Sequence, residues 1–178
     1  VVLRAANIDW GNGYVNSTTN NCTMHTNGSG FNDDEGCAGN WNEGNEVADG
    51  ILLENRGNKD VILVVNFSTN VTTLIGGSQV TPLFQFHMQP ESTAGHTSAV
   101  GDSSDSCAGT GNGWNYTTWT SVTAGGNPGF KICGGGSNYA YQAENDQDEV
   151  EMNIKVRIPE DATVGQRKMN VTFTATSA

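Results

Sequence analysis

The sequence predicts an all-β fold, a single β-sandwich domain over residues 1–178 with long disulfide-stapled loops, and three observations carry that expectation. Charged residues make up only 15% of the chain, so its polar surface is built from Asn, Ser, Thr and Gly. These residues suit turns, and few Ala, Leu, Glu and Lys remain to build helices. A strict period-two alternation near the C-terminal end reads as a half-buried strand. Four cysteines stand in Gly- and Asn-rich stretches as two sequence-local pairs, the pattern of stapled loops.

The elements follow in chain order. Val1-Val2-Leu3-Arg4-Ala5-Ala6-Asn7-Ile8 is extended and, apart from Arg4, apolar on both faces. Chain ends fray unless a sheet covers them, so this segment pairs either as a first strand of its own sheet or into a neighbouring subunit. Residues 16–45 and 89–112 read as two long polar loops. Gly50–Glu54 and Asp60–Phe67 read as strands joined by Asn55-Arg56-Gly57-Asn58-Lys59, a length suited to a hairpin. Val61-Ile62-Leu63-Val64-Val65 has no polar face, which predicts a central strand covered on both sides. Further strands are expected at Val80–Met88, Trp114–Val122, Phe130–Cys133 and Asn138–Gln142. Val150, Met152, Ile154, Val156 and Ile158 alternate with Glu149, Glu151, Asn153, Lys155 and Arg157. After the turn-rich Pro159–Gly165, Met169, Val171, Phe173 and Ala175 continue the inward pattern. No sustained helical period occurs.

The cysteines favour the pairing Cys22–Cys37 and Cys107–Cys133, because each bridge then closes one loop, worth about 3 kcal/mol by chain entropy. A zinc site would need CxxC spacing. Asn16, Asn21, Asn27, Asn66, Asn70, Asn115 and Asn170 each stand two places before Ser or Thr. Seven such sequons exceed the roughly four expected by chance at this composition and point to N-glycosylation outside the cell. An opening Val in place of Met fits a mature product whose leader has been removed. The longest apolar run, Val61–Val65, is far short of the roughly 20 residues that span a bilayer.

A net charge of −11 with eight Lys plus Arg argues against nucleic acid or an anionic membrane as partner. His25, His87 and His96 lack metallohydrolase spacing, and no nucleophile elbow is present. Gly125-Gly126 and Gly134-Gly135-Gly136 have no Lys-Ser/Thr to make a phosphate cradle. The expectation is a protein without catalytic residues or cofactor. Asn32-Asp33-Asp34-Glu35, Asp102 with Asp105, and Glu144–Glu149 gather hard oxygen ligands that suit a structural calcium, although none has EF-hand spacing. Trp10, Trp41, Trp114 and Trp119 either cap the core or stack on sugar.

Leu52–Leu63, with its Asn-Arg-Gly-Asn turn, resembles a strand-turn-strand unit of archaeal surface proteins with immunoglobulin-like domains. Val156–Gly165 followed by Val171–Ala175 resembles their closing hairpin. Similar turns occur in TasA-like fibre subunits and archaeal bundling pili. The resemblance implies an immunoglobulin-like or jelly-roll sandwich that polymerises head to tail by lending a terminal strand to its neighbour. Residues 1–8 are then the donor, burying Val1, Val2, Leu3 and Ile8. The expected function is a glycosylated structural subunit of an extracellular filament or surface layer. The alternative is a carbohydrate-binding module or adhesin using the Trp residues, with calcium in its loops.

Overall fold

A computed structural model describes residues 1–3, 8–26, 31–41, 50–78, 81–89, 107, 115–123, 129–133, 140–143 and 149–178, without the side chains of 31–35 and 89. Its strands are β1 (Val2–Leu3), β2 (Gly11–Val15), β3 (Asn21–Thr26), β4 (Phe31–Glu35), β5 (Cys37–Trp41), β6 (Ile51–Glu54), β7 (Val61–Phe67), β8 (Leu83–Gln89), β9 (Thr120–Ser121), β10 (Phe130–Lys131), β11 (Glu149–Pro159) and β12 (Val171–Ser177). A single helical turn, α1 (Val71–Leu74), is capped by Asn70, whose Oδ1 accepts from Thr73 N at 2.8 Å. The protein is all-β, and every strand pair is antiparallel.

β11 organises the larger, seven-stranded sheet. Along one edge it pairs with β8 over 151–157. Its other edge is shared end to end by β6, opposite 149–152, and β3, opposite 155–159. Beyond these lie β1 next to β6, β4 next to β3 and β9 next to β8. A three-stranded sheet, ordered β10-β7-β12, packs its inner side against the larger one, and β2 with β5 forms a separate two-stranded ribbon. In the ribbon Gly13 lies against the Trp41 indole, leaving no room for a side chain.

The shared core takes Val150, Met152, Ile154 and Val156 from β11, Leu63, Val65 and Phe67 from β7, and Phe84, Phe86 and Met88 from β8. Phe67 meets Phe84 and Phe86 of the opposite sheet at ring distances of 5.6 and 5.3 Å, and Phe130 of its own at 5.7 Å. Such tilted and edge-to-face contacts between aromatic rings add to the roughly 1.5–3 kcal/mol gained by burying each large side chain.

Several expectations need correction. Residues 51–67 are not a hairpin: β6 lies in the larger sheet and β7 in the smaller, and the connection crosses between them. Asn55, 1% exposed, holds that crossing by donating to Lys59 O and Gln142 O at 3.1 and 3.0 Å. β11 and β12 likewise fall in different sheets, so the closing hairpin is also a crossing. Residues 16–45 contain β3, β4 and β5 instead of one long loop. Glu149, Glu151 and Asn153, expected to face outward, are 5%, 0% and 0% exposed. β11 is therefore covered on both faces at that end, where Glu151 Oε1 accepts from Gly50 N at 3.1 Å.

β7 is central in its sheet as expected, but Ile62 and Val64 on its outer face are only half-buried. The strand expected at Trp114–Val122 shrinks to β9 among the described residues. The one expected at Asn138–Gln142 contributes a bridge at Tyr141 to Val61 and Cys107. Tyr141 also donates its hydroxyl to Leu53 O at 2.9 Å, joining that bridge to the larger sheet.

Candidate assembly edges and modification sites

Both disulfides form with nearest-neighbour connectivity. Cys22–Cys37 fastens the start of β5 to β3, and Cys107–Cys133 ties a distant residue to the end of the β10 segment. No free cysteine remains. Two bridges are compatible with a non-cytoplasmic setting, and no helix is long and apolar enough to cross a membrane among the described residues.

The segment expected to be a donor has its first residues on an edge of the larger sheet, where no described strand other than β6 pairs with β1. Val2 and Leu3 pair with Glu54 and Leu53 of the chain's own β6. Sequence left open whether this end pairs within or between subunits; in the single chain, the β6 edge holds it. The hold is slight, because β1 is two residues long, and Val1, Val2 and Leu3 stay 42%, 39% and 44% exposed. Ile8 behaves differently, since it is half-buried against the chain's own core. Residues 4–7 lie outside the described residues.

A second open edge is β12. It pairs with β7 in unbroken register from Val171↔Phe67 to Ser177↔Val61. No other described strand pairs with it. Ser68 N donates to Asn170 O at 3.0 Å and Ala178 N to Asp60 O at 3.4 Å. Bonded pairs alternate along an antiparallel ladder, so Thr172, Thr174 and Thr176 exchange bonds with β7. Val171, Phe173, Ala175 and Ser177 therefore turn their N–H and C=O groups away from it. The segment Val-Thr-Phe-Thr-Ala-Thr-Ser carries no charge and no proline, the devices that ordinarily protect an edge.

The sequons differ in their surroundings. Asn16 and Asn170 are exposed. Asn66 is half-buried on the outer face of β7, opposite Thr172 and close to Gly129. Asn70 is occupied in capping α1, and Asn115 Nδ2 donates to Lys131 O at 2.9 Å. Asn21 is only 8% exposed, with Nδ2 donating to Thr19 O and Oδ1 accepting from Thr23 Oγ1. Asn27 lies outside the described residues.

Trp10 and Trp41 pack against the core. Trp119 lies on the far face of the larger sheet, edge-on to His87 at 4.3 Å and to His25 at 6.0 Å, with Lys155 Nζ 4.6 Å from its ring centre. Burial lowers the His87 imidazole below its ordinary value, and Lys155 and His25 push the same way against a contact with Met88 O. All three described Trp rings are thus half-buried and engaged, and Trp114 lies outside the described residues, as does His96. Burial also raises the Tyr116 phenol.

No group of three metal-binding side chains occurs among the described residues. Asp102, Asp105 and residues 144–148 fall outside them, as do the side chains of Asn32, Asp33, Asp34 and Glu35. Gly125-Gly126 and Gly134-Gly135-Gly136 also fall outside.

The fold and these edges define an all-β, doubly disulfide-bonded protein whose most distinctive surface is exposed strand. Comparison with protein-family models, with curated proteins and with solved structures finds no match.

Proposed function

We propose that this chain is a structural subunit of an extracellular filament or surface layer, joined head to tail by its N-terminal strand. The observation that carries this reading is β1: three consecutive large apolar residues exposed at a sheet edge and held by two register pairs. Leaving β6 costs few main-chain bonds, and a neighbouring sheet would regain them while covering Val1, Val2 and Leu3. Such a contact joins different surfaces on the two copies, so it propagates as an open fibre. Two disulfides and the sequon density support an extracellular setting, and covalent glycans on exposed Asn accompany the assembly.

Electron microscopy of the purified full chain tests the reading. Filaments are expected from the native protein and none from a deletion of residues 1–3, which spares the packed Ile8. Val2→Asp with Leu3→Asp should act alike while leaving the melting temperature nearly unchanged. Filaments of normal length from either variant would refute donation by this strand.

A further inference from the structure

We propose that β12 is a second, lateral assembly site whose occupant is β12 of another copy, paired antiparallel with Thr174 on the twofold axis. The contact does not depend on the N-terminal strand. Its carrier is the open edge, where Val171, Phe173, Ala175 and Ser177 present main-chain donors and acceptors to solvent along seven unbroken residues. The ligand for such an edge is another extended backbone.

Self-pairing fits this edge residue by residue. With Thr174 on the axis, Val171 opposes Ser177 of the second copy and Phe173 opposes its Ala175. All four outward-bonding positions are then used, giving four bonded pairs and about eight hydrogen bonds. Each large inward side chain meets a small one, and Val171 and Phe173, now half-buried, gain cover. On the outer face Thr172 opposes Thr176, and Thr174 opposes its own copy, a threonine ladder of the kind that stabilises paired strands.

Electrostatics favours the same place. The chain carries a net charge of −11, and two copies repel over most approaches. The segment 171–177 has no charge. Asn170 shares the outward side of Thr172, so a sugar there stands off the face of the sheet and leaves the in-plane edge open. The N-terminal strand of another copy is the competing occupant, but β1 already has a place on β6 and offers no comparable matching of large to small along β12.

Cysteine cross-linking tests the register. Thr174 falls at a non-hydrogen-bonded pair, where facing Cα atoms lie about 4.5 Å apart, within disulfide range. Thr174→Cys should give a disulfide-linked dimer under mild oxidation. Thr172→Cys alone should not, because its copy lies about 13 Å along the pair, whereas Thr172→Cys with Thr176→Cys should. In the chain lacking residues 1–3, which forms no filament, Ala175→Pro removes an outward N–H and Thr174→Lys sets two like charges on the axis; each should shift sedimentation from dimer to monomer. Deleting residues 1–3 should leave the dimer intact, which separates this contact from the filament contact. Absence of a Thr174→Cys cross-link in a normally melting protein overturns the proposal, and so does cross-linking of Thr174→Cys to Leu3→Cys of another copy.

Discussion

Thr26 closes the break between two strands on one edge of β11 by bonding to Asn153. Its hydroxyl donates to Asn153 Oδ1 at 2.8 Å and accepts from Ile154 N at 2.9 Å. The break lies at 153–154, where pairing with β6 has ended and pairing with β3 has not begun. Both Thr26 and Asn153 are fully buried, so no solvent can replace the hydroxyl. Asn153 Nδ2 is itself buried and makes no hydrogen bond.

Thr26→Val keeps the side-chain shape and removes both bonds, leaving a buried carbonyl and a buried N–H without partners. A loss of about 2–4 kcal/mol is expected in denaturant unfolding. Thr26→Ser should retain most of the native stability. A Thr26→Val variant as stable as the native protein, with Thr26→Ser less stable, would mean that the methyl group, and not the hydroxyl, matters.

The two disulfides close loops of different length, with sequence separations of 15 and 26. Replacing Cys22 and Cys37 together by Ala should cost about 3 kcal/mol, and replacing Cys107 with Cys133 about 3.5 kcal/mol. The first pair should also free the β2–β5 ribbon, increasing amide hydrogen exchange over Gly11–Val15. Unchanged exchange there would show that Trp41 packing alone holds the ribbon.

His87 makes stability depend on pH. Its folded value lies below the unfolded value near 6.5, so the unfolded chain binds the extra proton as pH falls. The contribution is present in full above about 6.5 and is lost as pH falls through the folded value. His87→Gln should flatten the fall in melting temperature between about pH 7.5 and 5. Lys155, His25 and Trp119 are the groups that face it. A variant whose profile parallels the native one would assign the dependence to another group.

Glycopeptide mapping of protein made in an N-glycosylating host should find sugar at Asn16 and Asn170 and none at Asn21. The first two are exposed, whereas the Asn21 amide is turned inward to Thr19 O. Full occupancy at Asn21 would mean that modification precedes formation of β3.

Parts of this fold can be read residue by residue. Val150, Met152, Ile154 and Val156 announce β11 and the side that meets the core, because a strand's two faces alternate whatever its partners. The short separations within each cysteine pair were sufficient to choose the connectivity. β3 was missed: Cys22, Met24 and Thr26 alternate inward with Thr23 and His25, but its Asn, Cys and Thr resemble loop composition, so residues 16–45 read as one loop. Of the candidate site, the apolar Val1-Val2-Leu3 stands out in the sequence, whereas the open side of β12 does not, because an edge is defined by the absence of a neighbouring strand.

That the chain forms β-strands, which residues alternate in β11 and which cysteines pair can all be read from the order of its amino acids, since each of these depends on neighbours close along the chain. Packing between distant segments instead sets β6 and β7 in different sheets, buries Glu149, Glu151 and Asn153, and leaves β1 and β12 as edge strands among the described residues. Main-chain hydrogen bonds are nearly the same for every residue, so strands choose partners through packing between distant segments, and local periodicity carries no record of that choice.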